Sequence, residues 1–161
     1  MKLEFDQHEQ KIAAAGILIL SQARLLEFSP KQFRAQPCHL IRIIEARSNF
    51  DELKFEDEFE SIEEFKFDDS MPGEPIPTVL MTEEQAAQIV DAFERAVDAK
   101  MFIVHCRAGR SRSAAVAQAF AYFIGDGLTE GYIDTCTRWS PNDYVLGLLV
   151  KEIHRRKYGQ P

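Results

Sequence analysis

Four short apolar runs punctuate the chain: Gly16–Leu20, His39–Ile44, Glu64–Phe67 and Met101–Val104. The first and last are continuous in apolar residues, the pattern of strands covered on both faces. The second is rich in β-branched residues, and the third alternates with period two before ending at Asp68-Asp69. The intervening segments carry helical spacing. Thr82-Glu83-Glu84-Gln85 is a capping box, in which a threonine oxygen meets an open N–H and a glutamine reaches back. Behind it Ala86, Ile89, Val90, Phe93 and Val97 predict an amphipathic helix to about Ala99. An alanine-rich helix is predicted over Ser113–Ile124, closed by Gly125 and Gly127. A shorter one is predicted over Gly131–Trp139. A last helix opens at Pro141, with Val145, Leu146, Leu148 and Leu149 on one side and Lys151, Arg155, Arg156 and Lys157 toward its C-terminal end. Strands alternating with helices predict an α/β fold, a central mostly parallel sheet flanked by helices. The length of 161 residues suits one domain spanning 1–161.

Two segments break the pattern. Asp51–Glu64 is acidic and carries Phe55 and Phe59, with Phe50 just before it, which predicts a solvated irregular segment pinned by aromatics. Ser70–Thr78 holds three prolines and a glycine, a loop by composition. The overall balance, 45% apolar and 28% charged with net charge −7, is that of an ordinary globular domain. An acidic chain of this kind is expected to bind no nucleic acid and to enter no membrane. The apolar stretch Ile12–Leu20 is too short to span a bilayer, and its acidic and basic flanks do not suit a signal peptide. Cys38, Cys106 and Cys136 form no Cys-x-x-Cys pair and do not fall at zinc spacing with the four histidines. Free thiols in a cytoplasmic protein are the expectation.

Against this background Val104–Ala115, V-H-C-R-A-G-R-S-R-S-A-A, stands apart: a basic cluster around one thiol in an acidic chain. Cys106 could be a small buried filler, a redox centre, a metal ligand or a nucleophile. Its setting is a buried strand, then a glycine-containing loop, then a helix N-terminus. A loop feeding a helix presents unpaired N–H groups and the positive end of the helix dipole, a ready anion site. Gly109 allows the loop a tight path. Arg112, six residues beyond Cys106, can return a planar fork of donors over the same anion. Helix N-termini and nearby cations also favour the thiolate form of a cysteine. These features together describe a nucleophile facing a phosphoryl group.

The residues His105-Cys106-Arg107-Ala108-Gly109-Arg110-Ser111-Arg112-Ser113 resemble the His-Cys-x5-Arg-Ser/Thr signature of the cysteine-dependent protein tyrosine phosphatases. The short chain is similar to the compact dual-specificity-like branch, particularly its small bacterial and phage members, over roughly residues 65–150. The resemblance implies a phosphatase of the protein tyrosine phosphatase-like fold that needs no metal and no cofactor. Its substrate would be a phosphorylated protein or a small phosphomonoester, and phosphate, sulfate or vanadate would occupy the loop 107–112. By the same resemblance Cys106 would attack phosphorus, and Arg112 would bind and orient the phosphoryl group. Ser113 would hydrogen-bond the sulfur, and His105 would brace the loop. The family's general acid is an aspartate upstream of the signature. Asp69 matches it because one residue separates it from the last strand phenylalanine, with Asp68 as the alternative. Asn142, after Pro141, would hydrogen-bond near the loop or cap a helix. Arg107 and Arg110 replace the more usual uncharged residues and resemble those of lipid- and inositol-phosphate-directed relatives. A phosphoinositide or inositol-phosphate phosphatase, and a phosphate-binding module without turnover, are the alternatives.

Overall fold

The computed structural model describes residues 3–74 and 78–159. Residues 75–77, at the centre of the proline-rich loop, lie outside the described residues, so that loop is followed only to its two ends. The strands are β1 (Ile17–Ser21), β2 (Cys38–Ile44), β3 (Ser61–Lys66) and β4 (Met101–Cys106). All pairings are parallel, and the order across the sheet is β1-β4-β2-β3. The helices are α1 (Gln7–Ala13), α2 (Gln22–Leu25), α3 (Glu83–Ala96), α4 (Arg112–Phe123), α5 (Gly127–Thr135) and α6 (Asp143–Tyr158).

Alternation along the strands divides the core in two. Ile17, Ile19, Ile41, Ile43, Phe102 and Val104 point into one layer with residues of α3, α4, α5 and α6. Leu18, Leu20, Cys38, Leu40 and Ile103 point into the other, with Leu25, Phe28, Ala35 and Leu53. This period of two is what a pleated strand imposes, and it explains why the strands read as continuous apolar runs. α4 lies close on the sheet because Ala114, Ala115, Ala117, Ala119 and Ala121 are fully buried and short.

Several elements depart from the sequence reading. α1 was not foreseen, although Asp6 and Glu9 form a complete capping box at its start. β3 begins at Ser61, so the acidic run supplies the first part of an edge strand rather than ending as loop. α5 begins at Gly127 because the Asp126 side chain accepts from Thr129 N, and it ends at Thr135 instead of Trp139. α3 stops at Ala96, short of Ala99. α6 starts after Asn142, two residues beyond Pro141.

An all-parallel sheet puts every strand's C-terminal end at one edge. There the segments after β1, β2, β3 and β4 meet, the place where open α/β sheets build sites. β4 lies between β1 and β2, so the chain leaving it enters a crevice flanked by both.

Candidate active site

The last residue of β4 is Cys106, opposite Ser21 of β1. Residues 107–111 then curl back into α4. Gly109 has φ +67° and lies against β1. A Cβ there would come within 2.6 Å of the Ser21 nitrogen, so glycine is required both by conformation and by space. Three carbonyls of the loop are held from outside. Arg107 O accepts from Gln22 N at 3.1 Å, Arg110 O from Ser140 N at 2.8 Å and Ser111 O from Asn142 N at 3.1 Å. Among the described residues, no backbone carbonyl accepts from the N–H groups of 107–111. A loop with three carbonyls tied outward and its N–H groups free has the geometry that can cradle an anion.

Cys106 is buried, and its Sγ lies 3.0 Å from the Ser113 hydroxyl in the first turn of α4. Arg112 is buried as well. Its Nη1 donates to Phe67 O at 2.9 Å and its Nη2 to a Glu45 carboxylate oxygen at 2.8 Å, while Nε has no partner among the described residues. The guanidinium is therefore fixed at two nitrogens and unpaired at the third, which is buried. Glu45, the residue after β2, also accepts from Arg107 Nε at 2.6 Å. Partial burial pushes its carboxyl up, but Arg112 and Arg107 outweigh this and hold it below the usual range. Arg107 thus leaves the loop already paired with a carboxylate, whereas Arg110 is exposed.

The two aspartates after β3 separate cleanly. Asp68 accepts from Ala46 N at 3.0 Å and Val79 N at 2.8 Å, one with each oxygen. Those backbone donors hold its carboxyl below the usual range. It staples the ends of the proline-rich loop to the residues after β2. Asp69 is exposed and turns to the signature loop, where one oxygen accepts from Ser111 Oγ at 2.8 Å and from Asn142 Nδ2 at 2.9 Å. Asn142 does both things expected of it: its side-chain oxygen caps α6 at Val145 N while its amide reaches Asp69 and Ser70 O.

His105 is fully buried on β4. Burial, with Arg42 and Arg112 nearby, pushes its pKa down to about 3, so the ring is neutral at neutral pH. Cys38 is buried in β2 and desolvation raises its thiol to about 12, the behaviour of packing rather than chemistry. Cys136 lies away from the loop, 3.4 Å from His8 Nδ1. A groove of about 830 Å³ beside α6, lined by Ala86, Gly147, Leu148 and Tyr158 among others, contains none of the residues around Cys106. Sequence reasoning passed over Glu45 and Arg42. Arg42 carried a usable signal, a lone charge inside an apolar strand, which must find partners if buried.

No protein-family model matches the chain, and no curated protein matches it by sequence. Solved structures do. A mouse putative dual specificity phosphatase complexed with zinc tungstate aligns with TM-score 0.61 and 18% identity, over 91% of this chain and 89% of that one. Human DUSP28 aligns with TM-score 0.59 and 18% identity, over 90% and 96%. The fold is that of the dual-specificity phosphatases. PTPMT1 in complex with PI(5)P aligns less closely, with TM-score 0.51 and 19% identity over 88% and 94%. At these identities the dual-specificity phosphatase likeness is one of fold, and the chemistry has to be argued from the residues themselves. Among the described residues no helix is long and apolar enough to cross a membrane.

Proposed function

We propose that this protein is a cysteine-dependent phosphatase that hydrolyses phosphomonoesters, phosphotyrosine foremost, through a phosphocysteine intermediate. The observation that carries the reading is the convergence on one loop of a thiol beside a serine hydroxyl, free backbone N–H groups and a guanidinium with an unpaired donor. The Cys106 thiolate attacks phosphorus, and the bond from phosphorus to the ester oxygen breaks. Asp69 in its protonated form gives that oxygen its proton. Arg112 Nε and the loop N–H groups hold the phosphoryl oxygens as charge moves between them. In the second half Asp69, now a carboxylate, takes a proton from water as it attacks phosphorus. The S–P bond breaks, phosphate leaves, and the Ser113 hydroxyl receives the returning thiolate with a hydrogen bond. His105 stays outside the proton transfers.

Asp69 is favoured over Asp68 because both Asp68 oxygens already hold backbone N–H groups, while Asp69 is exposed and turned to the loop. The phosphoinositide alternative, suggested by the two extra arginines and by the ligand of PTPMT1, is weakened by Glu45. It engages Arg107 as well as Arg112 and sets a negative charge beside the loop, which disfavours a substrate carrying a second phosphate there.

Hydrolysis of p-nitrophenyl phosphate in the presence of chelator, inhibited by vanadate and abolished in Cys106→Ser, is the expected result. A panel of phosphotyrosine and phosphoserine peptides, phosphoinositides and inositol phosphates then ranks the substrates. Wild-type protein that binds phosphate but turns over none of the panel would make the chain a binding module instead.

A further inference from the structure

Directly across the β2–β4 ladder from His105 sits Arg42, buried in the sheet. Its Nε donates to His105 Nε2 at 3.2 Å. A guanidinium nitrogen is always a donor, so Nε2 must be the acceptor and the imidazole proton resides on Nδ1. Nδ1 lies 3.3 Å from the Cys106 carbonyl, to which it donates. Arg42 is itself held from three directions. Its Nη1 donates to Asp51 O at 2.9 Å and to a Glu64 carboxylate oxygen at 3.4 Å, and its guanidinium lies 5.0 Å from the centre of the Phe50 ring. The acidic segment that looked merely solvated therefore supplies the anchor of a buried cation.

We propose that Arg42 is a positioning residue for the nucleophile: it holds the His105 ring with Nε2 as acceptor and Nδ1 as donor, and through that donor fixes the Cys106 carbonyl at the start of the anion loop. The chain of contacts is continuous, from Glu64 and the Asp51 carbonyl to Arg42, to His105, to the Cys106 peptide. Turning the ring over or moving its proton would break the contact to Arg42 or to Cys106. A tilt of that peptide displaces the sulfur and the first loop N–H together, and displacements of this kind cost large factors in rate. The charged groups facing His105 are Arg42 from β2 and Arg112 from α4, both positive, and they add to burial in keeping a second proton off the ring. Those facing Arg42 are Glu64 of β3 and Asp51 and Glu56 of the acidic segment.

The inference rests on the phosphatase reading for its catalytic meaning, but its test does not need turnover. In protein labelled with ¹⁵N-histidine, long-range ¹H–¹⁵N spectra should show His105 as the Nδ1–H tautomer, unchanged between about pH 5 and 8. In Arg42→Met, which keeps length and removes the donor, the ring should lose that fixed tautomer. Alkylation of Cys106 by iodoacetamide, mapped by peptide mass spectrometry, should slow. Activity toward p-nitrophenyl phosphate, as kcat/KM, should fall about 10–100-fold. Arg42→Lys, which restores a charged donor, should recover part of each loss, whereas a space-filling role would be rescued by methionine and not by lysine. His105→Asn combined with Arg42→Met should be no worse than the more damaging single change. If Arg42→Met does not fold, the wild-type spectrum still decides the question, because a His105 ring carrying its proton on Nε2 would overturn the proposal. An unchanged His105 tautomer in Arg42→Met, or losses that multiply in the double variant, would overturn the proposal. Wild-type protein with the expected spectra and alkylation but no hydrolysis would overturn the phosphatase reading and leave the positioning role standing.

Discussion

At the scale of single residues, the pair Asp68-Asp69 shows how adjacent, chemically identical side chains take different work. Leaving an extended strand, they point opposite ways, one back to the sheet edge and one toward the loop after β4. The backbone N–H groups of Ala46 and Val79 occupy Asp68, and removing it leaves both without their partner. Asp68→Ala is expected to lower stability by about 1–3 kcal/mol in urea denaturation while retaining most of the wild-type kcat well below its melting temperature. Asp69→Ala should do the reverse, with kcat on an aryl phosphate down about 10²–10⁴-fold and a smaller change in stability. Full activity in Asp69→Ala with loss in Asp68→Ala would exchange their roles. In the sequence, the preference for Asp69 rests on the family resemblance and not on the strand pattern alone, because which of two successive residues faces the loop depends on where the strand ends.

At the scale of elements, α4 determines how the anion loop meets the sheet. Its alanines are fully buried and bring the helix axis near β4, so that its first turn places Arg112 and Ser113 beside Cys106. The alanine-rich composition predicted a helix, and the packing explains why larger residues would not serve. Ala117→Leu adds three carbons where no space exists, and overpacking of this kind costs about 1–3 kcal/mol, with the helix displaced from the sheet. The variant should therefore lose both melting temperature and kcat/KM, although residue 117 touches no substrate. Unchanged kcat/KM alongside a lowered melting temperature would show that the helix position tolerates the change. The capping boxes at α1 and α3 illustrate the limits of local signals. Thr82 with Gln85 was legible because apolar spacing follows it for more than three turns. Asp6 with Glu9 opens a helix of seven residues, too short for periodicity to stand out.

At the scale of the whole molecule, the acid sensitivity of folding follows from groups held in one protonation state. His105 titrates near 3 in the folded chain and near 6.5 when unfolded. As pH falls below about 6.5 the unfolded chain takes up a proton that the folded chain does not, so stability drops until about pH 3. Glu152 is held down to about 2 by hydrogen bonds from Arg155 and Arg156, against an ordinary 4.5. Its contribution is complete above about 4.5 and is lost as pH falls toward about 2. Denaturant titrations from neutral pH down to about pH 2 should show stability falling in two stages, the histidine stage first and a steeper fall below about pH 4.5. His105→Asn should flatten the stage between about pH 6.5 and 4.5 and leave the lower one. A wild-type protein equally stable at pH 7 and pH 5 would contradict the buried neutral histidine.

The sequence by itself determined the class of the fold and the residue types gathered in the loop after β4. Apolar runs mark strands, and the order of residue types from His105 to Ser113 carries its meaning at fixed local spacing, where a strand, a turn and a helix start leave little freedom. Tertiary structure alone decided which distant groups meet that loop. Glu45 and Arg42 come from β2 and its end, Phe67 O and Asp69 from the end of β3, Gln22 from the end of β1 and Asn142 from the start of α6. Their convergence follows from the parallel order β1-β4-β2-β3, which brings four strand ends to one edge. Strand order and register are set by contacts between residues far apart in the chain, and a pattern read along the chain does not contain them.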